Sequence, residues 1–166
     1  KRTRLIRKPG TKMVLQPSDR VQTGKDTSVK IKIRGKPELI ELSSRSFFRM
    51  GKVTKETSSI SLLTGKARFK IEGKLKRKSK KNRFQIRTVT AMVGVRGTDF
   101  LVAASNKETY ALPLDMPIFV APVNEKIKDV VIEVPAGYAT SVPACESKCL
   151  ESTPTVPVKV APKMID

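Results

Sequence analysis

Apolar and polar residues alternate one for one along much of this chain, in short bursts separated by turn-forming residues. In "SVKIKI" (28–33), Val29, Ile31 and Ile33 fall on one side and Ser28, Lys30 and Lys32 on the other. A period of two describes a strand with one buried face and one wet face. "ELIEL" (38–42) follows the turn signal "RGKP". "SLLTGKARFKIEGKL" (61–75) sets Ala67, Phe69 and Ile71 against Lys66, Arg68 and Lys70. "RFQIRTVTAMVGV" (83–95) is a β-branched and apolar run. "TDFLVAAS" (98–105), "TYALPL" (109–114), "PIFVAPV" (117–123), "DVVIEV" (129–134) and "AGYATSV" (136–142) follow at strand-like spacing. No window sustains the i, i+3, i+4, i+7 apolar pattern of a helix without Gly, Pro or a β-branched run. Many short strands at regular spacing predict an all-β, sandwich-like (jelly-roll-like) domain of short antiparallel strands. It is expected over residues 13–142, after a basic arm (1–12) and before a Cys loop and Pro-rich tail (143–166). Pro154, Pro157 and Pro162 make that tail an extended or edge segment. It reads equally as a strap for a partner and as a tail laid on its own domain.

Charge changes this picture more than length does. The 166 residues fit one domain able to bury its own core. Lys plus Arg number 34 against 15 Asp plus Glu, a net of +19. Residues 1–100 hold 28 basic and 7 acidic residues, a net of +21, whereas 101–166 hold 6 and 8, a net of −2. A basic half suggests a polyanionic neighbour: nucleic acid, anionic lipid, lipopolysaccharide, a cell-wall polymer or an acidic protein. The densest run is "GKLKRKSKKNR" (73–83), with Lys74, Lys76, Arg77, Lys78, Lys80, Lys81 and Arg83 among its residues. It lies between two strand patterns and is expected at a long hairpin tip. Such a run serves either as a polyanion contact or as a solvated loop. Seven bases without an acid favour contact with a polyanion or partner. The aromatics argue against nucleic acid. Phe47, Phe48, Phe69, Phe84 and Phe100 sit in apolar strand contexts, not among the basic residues where they could stack on bases. No zinc knuckle, helix-turn-helix or RNP pattern is visible.

The same residues give little purchase for chemistry. The chain has no His, which removes the usual general base and the commonest metal ligand. No Ser–Lys pair is singled out by spacing, and no paired carboxylates appear. No catalytic residue, metal site or cofactor is expected. Cys145 and Cys149, in "ACESKC", are too few for a closed zinc site and fit a short disulfide loop in an oxidising compartment. No stretch approaches the roughly 20 apolar residues of a membrane helix. The first residue is Lys, so the chain reads as a processed or truncated product, and any signal peptide or anchor would lie upstream of it. "GVRGTD" (94–99) gathers Gly, Arg and Asp, but a phosphate loop would open a helix, and here Phe100, Leu101 and Val102 follow at once. Gly94 and Gly97 read instead as a bulge, bend or close approach between strands. Asp99 would accept backbone hydrogen bonds there or pair with Arg96.

These segments resemble the FecR domain family, the periplasmic β-domain of iron-siderophore signalling regulators and other envelope proteins. The matching pieces are "DRVQTGKDTSVKIKI" (19–33), "LIELSSRSFF" (39–48), "LLTGKARFKI" (62–71), "FQIRTVTAMVGVRGTDFLV" (84–102) and "VVIEVPAGYATSV" (130–142). The signature runs from Thr88 through Ala91, Gly94, Arg96, Gly97, Thr98 and Asp99 to Phe100. Two turns depart from the family pattern: Asp115 in "LPLDMPIFV" stands where a glycine is usual, and "GKPE" (35–38) replaces a "DGS" hairpin. The resemblance implies a Gram-negative periplasm and protein–protein contact in place of catalysis. The function expected first is a structural or adaptor subunit of an envelope assembly, meeting other envelope proteins, peptidoglycan or lipopolysaccharide through its basic face. The alternative is the sensory domain of a siderophore-type transmembrane signalling regulator. A nucleic-acid-binding protein is the remaining alternative.

Overall fold

The computed structural model describes residues 4–8, 10, 12–72, 83–124, 126–127, 129–145 and 152–161. Among these there is no helix and there are thirteen strands: β1 (Arg20–Gln22), β2 (Val29–Lys32), β3 (Glu38–Leu42), β4 (Phe47–Val53), β5 (Ser58–Ile71), β6 (Phe84–Arg87), β7 (Ala91–Val95), β8 (Asp99–Ala104), β9 (Glu108–Pro113), β10 (Ile118–Pro122), β11 (Ile132–Val134), β12 (Tyr138–Pro143) and β13 (Val158–Lys159). The all-β expectation holds.

The strands form two sheets that share β5. The first runs β11-β10-β7-β6-β5-β4-β1, and the second β2-β3-β5-β8-β9-β12-β13. The first half of β5 pairs with β4 and β6, and its second half, from Gly65, pairs with β8 and then β3. The burial pattern records the crossing. Ser58, Ile60 and Leu62 point inward, then Ala67, Phe69 and Ile71 do. The inward set slips by one residue between Leu62 and Ala67. Such a slip turns every later side chain to the other face, as a strand that changes sheets requires. Gly65 lies within the slip at φ 98°, a conformation that L side chains rarely adopt.

The core fills the space between the sheets. Phe48, Phe69, Phe84 and Phe100 are its largest fully buried side chains. Phe69 stacks on its cross-strand partner Phe100, with centroids 5.0 Å apart. It also meets Phe84 of the other sheet at 5.8 Å. Aromatic pairs at these separations add to what their buried area contributes.

Four features of the chain differ from the sequence reading. The run 83–95 is two strands, because the Thr88 hydroxyl accepts from the Thr90 and Ala91 amides and turns the chain there. β4 was not anticipated, since an apolar Phe47 on the outward phase and a charged Lys52 on the phase of the inward Phe48 and Met50 break its alternation, and two register shifts interrupt its pairing with β5. The short strands β1 and β13 lacked a pattern long enough to read. Finally, the basic run does not join a hairpin. β6 pairs parallel with the start of β5, Ser58 with Phe84 through Ser61 with Arg87, and parallel neighbours need a crossover. The chain leaves β5 in the second sheet at Ile71 and re-enters the first at Phe84.

The described part of the tail lies on its own domain. Val158 and Lys159 pair with Ala139 and Tyr138, and the Thr140 hydroxyl donates to the Thr155 carbonyl at 2.7 Å. Cys149, and with it the expected pairing to Cys145, falls outside the described residues.

Candidate functional site

The signature segment is a corner between the sheets. β7 ends at Val95 in the first sheet and β8 begins at Asp99 in the second. Arg96, Gly97 and Thr98 make the turn between them, with Gly97 and Thr98 buried. The Thr98 hydroxyl accepts from the Met116 amide at 2.9 Å and donates to the Met116 carbonyl at 3.0 Å. The Thr98 carbonyl accepts from the Ile71 amide at 3.0 Å, and the Asp99 carbonyl from the Leu114 amide at 2.7 Å. One turn is thereby tied to the end of β5 and to the connection between β9 and β10. That connection is the "LPLDMPIFV" segment, in which Asp115 follows Leu114.

The two charged residues of the corner do not pair with each other. Asp99 takes Arg68 instead, with Nε at 2.9 Å and Nη2 at 2.6 Å on its two oxygens. Arg68 and Asp99 project from neighbouring strands on the outer face of the second sheet, which places the two forks opposite one another. The hydrogen bond to Asp99 raises the Arg68 pKa further, and burial opposes it. Arg96 lies on the outer face of the first sheet, its guanidinium 5.0 Å from the Phe119 ring centroid. Its Nε is buried and makes no hydrogen bond. Gly94 is not at the bend. It sits inside β7 between Gln85 and Phe119, buried on the side of the sheet that carries Arg96 and Phe119. Phe100 points into the core.

Two further polar groups are buried. The Thr88 hydroxyl lies 2.6 Å from that of Thr109, and Thr90 donates to the Thr109 hydroxyl or the Val142 carbonyl, each at 2.8 Å. These contacts join the turn between β6 and β7 to β9 and β12 across the two sheets. At the other end, Lys36 Nζ donates to the Ser58 hydroxyl at 2.9 Å, which donates to Glu38 Oε2 at 2.7 Å. Ser58 is 0% exposed and Glu38 is 7% exposed. The hydroxyl is therefore closed to substrate, and its partners satisfy a charge pair that would otherwise be costly to bury. This cluster escaped the sequence reading because "GKPE" reads as a turn. The available signal was phase: Glu38 shares a face with the buried Ile40 and Leu42.

Of the basic run, Lys74, Lys76, Arg77, Lys78, Lys80 and Lys81 lie outside the described residues. Arg83 is described; its amide donates to the Val95 carbonyl and its carbonyl accepts from the Ser58 amide. Among the described residues no three acidic or cysteine side chains gather to hold a metal ion, and no helix is long and apolar enough to cross a membrane.

The outer face of the second sheet carries an open groove of about 590 Å³. On one side stands a charge ladder, Lys30 and Lys70 on Glu41 at 3.7 and 3.4 Å and Arg68 on Asp99. On the other lie Leu101, Tyr110 and Leu112.

This is an all-β domain whose corner residues Thr98 and Asp99 are held in internal hydrogen bonds and an ion pair. The sequence profile described as FecR protein matches residues 19–112, more than half of the chain, and the chain belongs to the FecR family. No curated protein matches it. Two crystal structures of a candidate anti-sigma factor from Parabacteroides distasonis, at 1.65 and 2.50 Å, share the fold with a TM-score of 0.61 at 14% identity. The match covers 78% of this chain and 57% of that one, so this chain spans little more than half of its structural relative.

Proposed function

We propose that this chain is the sensory domain of a transmembrane signalling regulator in a Gram-negative envelope, working by protein–protein contact and not by catalysis. The family match over residues 19–112 carries the reading. The structural likeness to a candidate anti-sigma factor favours regulation over a scaffold role. The side chains of the corner support a contact domain, because Thr88, Thr98 and Asp99 are all engaged in internal hydrogen bonds. A periplasmic address and a Cys145–Cys149 disulfide belong to this reading. The test is to delete residues 13–142 from the chromosomal gene and measure transcription from promoters of the cell's alternative sigma factors. Loss of inducible control is expected. Unchanged transcription under every inducing condition, together with a cytosolic location in compartment-specific reporter fusions, sinks the proposal.

A second reading keeps a specific observation in its favour, the seven bases within residues 73–83. In it the domain is an adaptor subunit that meets peptidoglycan, lipopolysaccharide or an acidic protein through Lys74, Lys76, Arg77, Lys78, Lys80, Lys81 and Arg83. Retention on purified sacculi should fall with salt and with neutralisation of Lys76 to Lys81. Salt-independent retention, or none, removes it.

A further inference from the structure

We propose that the groove on the outer face of the second sheet is the docking site for an extended, acidic-and-apolar segment of a partner protein. The inference rests on the reading of this chain as a protein-contact domain and names the surface and the partner's chemistry. It begins with strand phase. In β8 the inward residues are Phe100, Val102 and Ala104, and in β9 they are Thr109, Ala111 and Pro113. Leu101, Tyr110 and Leu112 are therefore turned to the outside. Tyr110 is 49% exposed. Apolar positions on an outer face are unremarkable singly, but contiguous ones mark contact surfaces.

Register then arranges them into rows. Arg68, Leu101 and Leu112 are successive cross-strand partners, as are Lys66, Ala103 and Tyr110. Each row starts with a cation on β5 and ends on apolar or aromatic side chains. Successive rows are two residues apart along the strands. That is the spacing, about 6.6–6.8 Å, at which an extended peptide presents side chains on one face. A peptide laid along β8 and β9 would set alternate side chains over successive rows. The groove volume of about 590 Å³ suits a few apolar side chains entering from above.

Charge chooses the occupant. Glu41 and Asp99 are already committed to Lys30, Lys70 and Arg68. Lys66, at the β5 end of the row that Tyr110 closes on β9, makes no ion pair among the described residues. Glu108 stands next to Tyr110 on β9, two strands from Lys66, so it opposes an anion over Tyr110 and leaves the β5 side of the groove to one. A segment with an acid placed toward Lys66 and apolar side chains toward Leu101 and Leu112 fits both halves. A rim charge of this kind guides approach and register, and the aromatic anchor supplies the affinity.

The test uses the purified chain and a random peptide library displayed on phage. Selected sequences should combine Asp or Glu with Leu, Phe or Tyr. A synthetic peptide of the winning sequence should perturb the backbone amide resonances of Leu101, Ala103, Tyr110 and Leu112. Tyr110→Ser and Lys66→Glu should each weaken it by about fivefold or more, with the melting temperature kept near the parent's. Vesicles of phosphatidylglycerol form the second arm and should not compete. Absence of enrichment, enriched sequences lacking acids, perturbations outside this face, or displacement by vesicles each overturns the proposal. None of these outcomes bears on the transcriptional test above, so the two readings fail separately.

Discussion

Gly65→Ala is the change that tests the architecture most directly. Gly65 sits where β5 passes from one sheet to the other, at φ 98°. An alanine there meets two separate costs. The first is conformational, on the order of 1–3 kcal/mol for a non-glycine residue held in a sparsely populated region. The second is steric. A Cβ on Gly65 would lie 2.5 Å from Ser46 Cα and 2.6 Å from Ser46 Cβ, and would overlap Ser46 Oγ. Ser46 has little room to move. It is 0% exposed, and its hydroxyl exchanges hydrogen bonds with the Lys66 amide and carbonyl, both at 3.1 Å. Its own amide donates to the Thr23 hydroxyl at 2.8 Å. Overpacking a fixed site costs about 1–3 kcal/mol, so the sum is on the order of 2–6 kcal/mol. That is a large share of the roughly 5–15 kcal/mol that holds a domain folded. Gly35→Ala separates the two contributions. Gly35 has φ 74° but nothing within 4 Å of a Cβ, so it meets only the conformational cost, about 1 kcal/mol. Urea unfolding followed by far-ultraviolet circular dichroism measures both variants. The expected order is parent, Gly35→Ala, then Gly65→Ala, with the last at least about 1 kcal/mol below the second. Equal losses for the two glycine variants would falsify the claim that the close approach of Ser46 fixes the crossing.

Other expectations concern polar groups. Asp99→Asn leaves one acceptor where Arg68 uses two. It should cost about 1–2 kcal/mol in the same assay, the lower part of the range because Arg68 is partly exposed; no loss would mean the pair is ornamental. Thr90→Val removes the hydroxyl that reaches Thr109 and the Val142 carbonyl. It should cost about 1–3 kcal/mol, and a double-mutant cycle with Thr109→Val should show coupling; simple additivity refutes the network. The hydrogen bond with Glu108, aided by burial and the neighbouring charge, raises the Tyr110 pKa. In a Tyr138→Phe background its phenolate absorbance should appear above the ordinary value of about 10, and Glu108→Gln should lower that midpoint. Because a raised folded-state pKa favours the protonated form, any stability from this contact is complete below about 10 and fades as pH climbs through the shifted value. A midpoint unmoved by Glu108→Gln refutes the contact.

Period-two alternation carried most of the fold. Val29, Ile31 and Ile33, or Ala67, Phe69 and Ile71, announce a strand because burial selects apolar residues on one face while Lys30 and Lys32, or Lys66, Arg68 and Lys70, occupy the other. It failed where the backbone leaves that regularity. In β4 the alternation of Phe48, Arg49 and Met50 is cut short by Phe47 on one side and Lys52 on the other, and two register shifts accompany it. Alternation also says nothing about which strands meet. A basic run between two strands suggested a hairpin tip, but the parallel pairing of Ser58–Ser61 with Phe84–Arg87 depends on β5 bending at Gly65. The corner itself was legible as a corner from Gly97 and its apolar flanks. Its partners were not, since Arg68 lies 31 residues before Asp99 and only the pairing of β5 with β8 brings them together.

A polar side chain can serve both the fold and a partner only while some of its bonding capacity is unspent. Thr98 has one hydroxyl proton and gives it inside the corner, chiefly to the Met116 carbonyl. Asp99 spends an oxygen on each arm of Arg68, and Thr88 and Thr90 spend theirs on Thr109 and Val142. Arg96 has an unused Nε, but it is buried. Thr98, Asp99, Thr88 and Thr90 thus serve to fix how the two sheets join. What remains free is turned outward on strands that this corner holds in register: Lys66, Leu101, Tyr110 and Leu112. Those side chains can change without disturbing Phe69, Phe84 or Phe100 on the opposite face of the strands. Recognition by this domain is therefore separable from its folding, and exchanging Lys66, Leu101, Tyr110 and Leu112, with the Arg68–Asp99 pair kept, should redirect binding while the unfolding transition stays where it was.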